Sequence, residues 1–511
     1  MWTQTINPLD NLLLSSLVGF TPIITLIIAL ILFRLPGHKA AFITSIVTFF
    51  IAVFVWKMPA QMALASYLFG VLFGLWPIAW ILVNALTLFN LAEKTGSLKD
   101  LTEWMVNSLP RDHGVQSIFI AYLFGNLIEG VDGFGFPIAI SAAILTRLGL
   151  SPLMAVMVSL LANTIIVPFA SLGIPLITLG LVTGLDLYKI TLLVSLQLIV
   201  FAIIIPFLMA YFIGGKRLSR FFDVILVSGL SLGLLTYLAS IATGPYLVGI
   251  IAPIGSMIIV LLYLRLRYGV LERVSWRVFI RGWIPWIYVV LFMTVFTVLD
   301  LTRLVSFDLP IPYLHNMVYV ELYDSVYSAV YKWQPLAHGT LVLFASIATI
   351  ITFRISFRVF AKTFAETTIR LRNAILTILQ VVGIAYLMNY SGISFTLGYS
   401  LASAKTLFPI LSAFIGWIGT FISGSSTGSN ALFGNLQRVG AETIGISPYI
   451  TTATNATGGV LGKIVSLQSI VVGTSAVGIT GKEGEIMKKL IPYSLLLTTI
   501  LATITLIQTI H

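Results

Sequence analysis

A single lysine, Lys463, stands alone in a long apolar stretch and could bind an anion. It is the only charged residue between Glu442 and Lys482, and it follows the pair Gly458 and Gly459. An ammonium group inside a hydrocarbon layer is costly, and it is retained where it faces a cavity and an anionic partner. We therefore expect Lys463 to bind a carboxylate. The alternative is a lysine whose stem lies along the apolar surface while its ammonium reaches water.

Two carboxylates, Glu129 and Asp132, form a second candidate group and could carry a proton. They are the only acidic or basic residues between His113 and Arg147. A carboxyl group that is shielded from water holds a proton more readily than one in water, and carboxylates inside a membrane are usually functional. We expect one of them to bind a coupled proton, with Glu129 as the partner of Lys463 when the site is empty. The alternative is that both face water or pair with Arg147.

A run of hydroxyl and amide side chains offers neutral donors in the second half of the chain. No charged residue lies between Lys405 and Arg438. The middle of this stretch contains Ser423, Gly424, Ser425, Ser426, Thr427, Gly428, Ser429 and Asn430. Glycine lets the backbone turn and approach a ligand closely, and helix N-termini that meet there would attract a carboxylate. Hydroxyls that only join neighbouring helices are the alternative.

Four further amide side chains could donate a hydrogen bond to a hydroxy acid, and each could equally join two helices. They are Asn163, Asn389, Asn455 and Gln468.

These groups lie at interruptions of apolar sequence that occur in matching order in the two halves. The stretch 125–137 precedes a break at 168–175, and the stretch 423–435 precedes a break at 455–463. Irregular backbone at membrane depth is tolerated only where it is buried in protein or lines a cavity. Paired breaks are typical of the substrate site of a secondary transporter. The glycines expected to shape this backbone are Gly130, Gly133, Gly135, Gly424, Gly428, Gly458 and Gly459.

The composition places these breaks in a membrane. Hydrophobic residues make up 58% of the chain and charged residues 9%, against roughly 25% charged in soluble domains. We predict an all-α polytopic membrane protein with about 12 transmembrane helices and two re-entrant hairpins. The predicted spans lie near 14–33, 40–56, 66–92, 152–183, 188–213, 222–242, 246–264, 282–300, 338–354, 373–391, 446–478 and 490–510, with hairpins at 116–147 and 406–438.

The charge distribution predicts sidedness. Arginine and lysine dominate the charged residues of 214–223, 265–281 and 354–372, and we predict that these segments are cytoplasmic. The segment 300–337 is acidic and rich in aromatic residues, and we predict that it lies outside. The first hairpin then enters from the cytoplasm and the second from outside, as in an inverted repeat with broken helices.

The domain prediction follows from this sidedness. We predict one integral membrane transporter domain, 1–511, with repeat cores at 66–213 and 373–511 joined by scaffold helices at 214–372. The net charge of +11 is assigned to cytoplasmic loops rather than to a nucleic-acid partner.

Several classes of function are excluded by what the sequence lacks. The chain has no cysteine, so it has neither disulfides nor a thiolate metal site or nucleophile. The five histidines have no metal-ligand spacing, and no nucleotide fingerprint or nucleophile elbow is present. We therefore expect neither an enzyme nor a bound cofactor or metal. A passive channel stays an alternative.

The chain resembles the lactate permease family of secondary transporters. The resemblance rests on ordered blocks at 128–137, 389–392, 416–434, 458–463 and 468–469. It implies a multi-pass protein of the plasma membrane that takes up lactate and glycolate with protons by an elevator-type movement. Its partners would be the substrate, protons and the lipid bilayer, and a homo-oligomer is left open.

The chain departs from the family pattern at both hairpins. Ser426 stands where the family usually has aspartate, and Gly428 where it has serine. Asp132 replaces a small residue in the first hairpin. We interpret this as a carboxylate role moved between the hairpins. Coupling to sodium instead of protons is the alternative, because hydroxyls and carbonyls at hairpin tips can also hold Na⁺.

Overall fold

Twelve helices in the described part of the chain are long and apolar enough to cross a membrane. The computed structural model describes residues 1–110, 112–131, 133, 136–214, 222–269, 276–299 and 301–510. The chain is therefore an all-α polytopic membrane protein, as predicted. Two predicted site residues, Asp132 and Gly135, lie outside the described residues, as do the basic residues at 216, 217, 220 and 273.

The helices follow one another along the whole chain. Those of the first half are α1 (Leu12–Ile31), α2 (Gly37–Phe54), α3 (Ala60–Phe73), α4 (Trp80–Lys94), α5 (Ser97–Asn107), α6 (His113–Ser117), α7 (Gly125–Val131), α8 (Phe136–Arg147), α9 (Pro152–Ala162), α10 (Ala170–Thr183), α11 (Leu187–Gly214), α12 (Phe222–Thr243) and α13 (Val248–Tyr268). Those of the second half are α14 (Trp276–Val298), α15 (His338–Thr352), α16 (Phe357–Ser391), α17 (Ile393–Ala402), α18 (Phe408–Ser423), α19 (Ser426–Thr443), α20 (Pro448–Lys463), α21 (Leu467–Ala476) and α22 (Glu483–Ile510).

Two helical hairpins stand at the predicted positions. In the first, α6 continues through a π-helical segment, Ile118–Phe124, into α7, and α8 returns. In the second, α18 and α19 are joined at Gly424 and Ser425. That each hairpin is re-entrant, with both ends at one membrane face, stays a prediction.

The span after the first hairpin is broken as predicted. Helix α9 ends at Ala162, and a 3-10 turn leads into α10 at an overall bend of 70°. Ser171, Leu172 and Gly173 have φ values of 46°, 62° and 88°. A left-handed run of three residues cannot continue a right-handed helix, so the backbone here is turned out of the helical path.

The predicted break at 455–463 is wrong. Helix α20 runs unbroken to Lys463, and the interruption lies at 464–466, before α21. Gly458 and Gly462 serve close packing instead, because a Cβ on either would collide with the backbone of α18 at Ala413 or Trp417. Small residues let helices in a membrane approach in this way.

Other elements differ from the predicted spans in local detail. The third span is one long segment, Ala60–Lys94, with non-helical backbone at Trp76. Pro77 explains the break, since proline disfavours helical geometry in the residue before it. Helix α16 has 35 residues and begins inside the basic segment 354–372. The short helices α5 and α17 had no counterpart among the predicted elements.

A small β-structure covers one end of the bundle. Strands β1 (Trp2–Gln4), β3 (Val318–Val320) and β4 (Ser325–Tyr327) form one sheet, and β2 (Phe307–Pro310) and β5 (Val330–Trp333) form another. We call residues 1–6 and 301–337 the cap. Gln4 donates to the carbonyl of Asn389 at 2.7 Å, which fastens the cap to the end of α16.

The charged segments predicted to be cytoplasmic meet at the opposite end of α14 from the cap. Arg281 pairs with Asp100 of α5 at 3.2 Å, and Lys94 at the end of α4 pairs with Glu366 at 3.0 Å. Helix α14 leads from this end to the cap. The contacts therefore agree with the predicted separation of basic and acidic segments.

Candidate functional site

The four interruptions of the helical pattern converge on one cavity of about 600 Å³, its open mouth included. Its lining comes from the tip of each hairpin and from the breaks after α9 and after α20. The lining residues are Gly133, Val167, Ala170, Ser171, Ile174, Pro175, Gly424, Ser425, Ser426, Thr427, Lys463, Gln468, Ser469 and Val472. Seven predicted site residues are among them: Gly133, Gly424, Ser425, Ser426, Thr427, Lys463 and Gln468.

Lys463 lines this cavity and forms a buried ion pair with Glu129, which lies behind it and is not itself among the lining residues. The ammonium nitrogen Nζ of Lys463 lies 2.5 Å from Oε1 of Glu129, and the two side chains are 7% and 0% exposed. The contact joins the last turn of α20 to α7, across 334 positions of sequence. The expected partner of Lys463 in the empty site is therefore the residue that it contacts.

Glu129 keeps a second oxygen available. Its Oε2 is buried and accepts no hydrogen bond from any residue that the structure describes. The next residue, Gly130, packs directly on the backbone of Gly249 in α13, where a Cβ would collide. The carboxylate of Glu129 therefore has a buried oxygen without a donor among the described residues, which is rare for a buried polar group in a native structure.

The tip of the second hairpin directs a helix N-terminus at the cavity. Gly424 has φ 68° and ends α18, and its Cα faces Gln468 so closely that a Cβ would collide with that side chain. Ser425 caps α19 by accepting a hydrogen bond from the N–H of Gly428 at 3.1 Å. The N–H groups of the first helical turn have no partners within the helix, and together with the helix dipole they attract anions.

A second helix N-terminus lies beside the first. Ser466 caps α21 by accepting a hydrogen bond from the N–H of Ser469 at 3.4 Å. Gln468 and Ser469 in the first turn of α21 both line the cavity. Two helix N-termini thus direct their partial positive charge at the cavity, which favours a small anion, while the charge of Lys463 is balanced by Glu129.

Other predicted donors are used inside the protein. Asn430 donates to the carbonyl of Pro175 at 3.0 Å and accepts from Asn455 at 3.0 Å. Asn455 in turn accepts from Gln437 at 3.3 Å. Ser429 donates to the carbonyl of Gly416 at 3.3 Å. These side chains fix α19 against α10, α18 and α20 and do not line the cavity.

Three more predicted residues also lie off the cavity. Ser423 donates to the carbonyl of Gly419 at 2.6 Å, within α18. Asn389 donates to the carbonyl of Val182 at 2.8 Å, which joins α16 to α10. Asn163 is buried, and both of its amide atoms lack a partner among the described residues.

Sequence reasoning missed residues that shape the site. Asn126 donates to the carbonyl of Ala162 at 3.0 Å and accepts from the N–H of Ile166 at 3.1 Å, so it closes the break after α9. An amide side chain such as Asn126, in the same apolar helical stretch as Tyr122, is a signal by which the sequence could have identified it. Ser171 and Ser469 line the cavity. Each is one serine in an apolar segment, and only the tertiary contact distinguishes it from helix packing.

The donor set suits an anion. Among the described residues no group of three or more histidine, cysteine, aspartate or glutamate side chains comes together. The groups that do line the cavity are hydroxyls, an amide, an ammonium and backbone N–H groups. Such groups bind a carboxylate through charge-assisted hydrogen bonds.

Comparison with known proteins identifies a family. Residues 15–510 match the family model described as L-lactate permease. The chain is 35% identical to the L-lactate permease of Salmonella typhimurium and 36% identical to the glycolate permease of Escherichia coli, in each case over 99% of this chain and 98% of the other protein. It is 34% identical to the L-lactate permease of Bacillus subtilis, with the same coverage.

Proposed function

Because the chain belongs to the L-lactate permease family, we propose that it imports lactate and related 2-hydroxy monocarboxylates such as glycolate by proton symport. The chain is a multi-pass transporter of the plasma membrane and not an enzyme. The observation that carries the finer proposal is the buried pair of Lys463 and Glu129 beside the cavity where the four interruptions meet.

The substrate carboxylate binds between the two helix N-termini and Lys463. The donors on offer there are the N–H groups of Ser426 and Thr427 at the start of α19 and the hydroxyls of Ser425 and Ser469, four residues that line the cavity. The amide of Gln468 is available for the 2-hydroxyl group. This arrangement is supported by the two helix N-termini at the cavity and by its neutral polar lining.

Glu129 couples the proton to the substrate through Lys463. In the empty carrier the lysine is neutralised by Glu129. When a proton neutralises Glu129, the ammonium is free to pair with the carboxylate of the substrate. Proton and anion therefore promote each other's binding, because each one alone leaves a buried charge without a partner, which is strongly unfavourable.

The same charge balance explains why proton and substrate would be transported together. The empty site and the fully loaded site both carry no net charge from this group of residues, whereas a site with only the proton or only the anion carries one unit. Moving one unit of charge across the membrane changes the free energy by about 2.3 kcal/mol per 100 mV. The two neutral forms are the ones that reorient, so one proton accompanies each substrate anion.

Reorientation occurs by an elevator-type movement of the hairpins and the broken spans. These elements carry the whole lining of the cavity, so they would move together with the substrate. The long helix α16, which lies against α2 and α3, belongs to the frame along which they slide.

Uptake of labelled L-lactate into proteoliposomes tests the proposal. An inward proton gradient should drive lactate above its equilibrium level, and a sodium gradient at equal pH inside and outside should not. Accumulation that follows sodium and ignores the pH gradient would contradict proton symport. Empty liposomes and liposomes with a protonophore are the controls.

A further inference from the structure

A second cavity lies behind the tip of the second hairpin and is apolar. It has a volume of about 520 Å³, its open mouth included, and is bounded by α1, the start of α2, α16 and the hairpin tip. Leu26, Ile378, Val381, Val382 and Leu432 supply its apolar wall. Its chemistry contrasts with that of the first cavity, which contains Lys463 and two helix N-termini.

Two residues form the partition between the cavities. Among the described residues, Ser425 and Thr427 line both of them. The hydroxyl of Ser425 is engaged as the cap of α19. The side chain of Thr427 is only half-buried and makes no hydrogen bond with any residue that the structure describes. Thr427 is therefore the part of the partition whose side chain can be removed without loss of a hydrogen bond to a described residue.

We infer that Thr427 is a specificity-determining residue that limits the length of the substrate's aliphatic chain. The inference rests on the proposed function. With the carboxylate held by Lys463 and the helix N-termini, the methyl group of lactate fits in front of Thr427, and a longer chain meets the threonine side chain. Without that side chain, the alkyl tail of a longer 2-hydroxy acid extends into the apolar cavity.

The apolar lining sets the size of the expected gain. Each methylene group moved from water into apolar surroundings strengthens binding about fourfold. The acid 2-hydroxyhexanoate has three more methylene groups than lactate. Even partial burial of these groups should raise the uptake of this acid relative to lactate by about tenfold or more.

The test compares uptake of 2-hydroxyhexanoate with uptake of L-lactate in proteoliposomes under one proton gradient. In Thr427→Ala the ratio of the two rates should rise about tenfold. Thr427→Val keeps the shape of the side chain and loses only the hydroxyl, so its ratio should equal that of the wild type. The rise should come from a higher absolute rate of 2-hydroxyhexanoate uptake per folded protein, which misfolding cannot produce.

A third variant locates the tail. Val381→Phe fills the apolar cavity and should cancel the gain when it is combined with Thr427→Ala, while lactate uptake in the single variant is unchanged.

An unchanged ratio in Thr427→Ala beside normal lactate transport would overturn the role of Thr427 alone. An equal gain in Thr427→Val, or a gain that survives Val381→Phe, would also overturn it. A wild type that fails to transport lactate would overturn the proposed function and this inference together.

Discussion

The pair of Lys463 and Glu129 is better explained by function than by stability. Two charges removed from water lose hydration that their attraction hardly recovers, and apolar residues of similar size often stabilise a fold as well. Removing one partner is different, because the other charge is then left buried. Next to a cavity, such a pair provides an ammonium group that can pair either with its carboxylate partner or with an anionic substrate.

Replacing Lys463 tests its contact with the substrate. In Lys463→Ala the substrate loses a charge-assisted hydrogen bond worth up to ~3 kcal/mol, so the rate of lactate uptake should fall about a hundredfold. The folded protein should still be recovered from the membrane. Lys489→Ala is the matched control, because Lys489 pairs with Glu485 at the exposed start of α22. Equal uptake in both variants would remove Lys463 from the site.

Replacing Glu129 separates binding from coupling. Glutamine resembles the protonated acid, so Lys463 is free for the substrate in Glu129→Gln. We expect exchange of labelled for unlabelled lactate to continue, whereas net uptake driven by the proton gradient is lost because the empty carrier has an unpaired charge. Net uptake at the wild-type rate would show that another group carries the proton.

At the scale of elements, the second hairpin and α20 are packed backbone to backbone. A Cβ on Gly416, Gly458 or Gly462 would collide with the facing chain. Dispersion contacts between close backbones are a main source of helix association in membranes. The glycines predicted to break the span therefore hold the hairpin against it.

A glycine substitution measures this packing. Gly458→Ala should destabilise the protein by about 1–3 kcal/mol, since a methyl group forces the two backbones apart. The unfolding midpoint of the purified protein in detergent should fall accordingly. Gly484→Ala is the control, because Gly484 lies in the first turn of α22 with nothing within 4 Å of its added Cβ. A midpoint that falls equally in both variants would contradict the packing role.

At the scale of the whole molecule, the cap contacts the moving and the static parts of the proposed mechanism. Tyr323 of the cap donates a hydrogen bond to Glu442 at the end of α19, and Glu442 also accepts from Arg438 at 2.8 Å. Partial burial and this hydrogen bond raise the pKa of Tyr323 above its ordinary value. The phenol stays a donor throughout the physiological range, so this contact does not make uptake depend on pH.

Cross-linking across this contact tests whether α19 moves against the cap. The chain has no cysteine of its own, so Tyr323→Cys with Glu442→Cys can be joined by a bifunctional thiol reagent. The joined protein should lose lactate uptake if the hairpin travels, and cleavage of the linker should restore it.

A pair within the cap is the control for the cross-link. Phe307→Cys with Trp333→Cys links two facing strand residues, and this protein should keep its activity. Undiminished uptake in the first linked protein would argue against an elevator movement of α19.

Much of this fold was predicted from the sequence because hydropathy and charge are local properties. Twenty apolar residues in a row predict a span wherever they occur, and lone groups such as Glu129 and Lys463 are conspicuous in such spans. The breaks were predicted less well. Gly458 in α20 and Ser171 in α10 are both small residues in apolar helices, and only the facing helix decides whether such a residue packs or turns.

The sequence by itself determined the class of the protein, the order of its helices and hairpins, the family, and the two charged residues with no counter-charge nearby in the chain. The tertiary structure confirmed the expected pairing of these two, and it alone decided that both hairpin tips and the breaks after α9 and α20 line one cavity and that Thr427 separates this cavity from an apolar one. The physical reason is that solvation acts on each segment separately, whereas a contact between Glu129 and Lys463 depends on how every intervening helix packs.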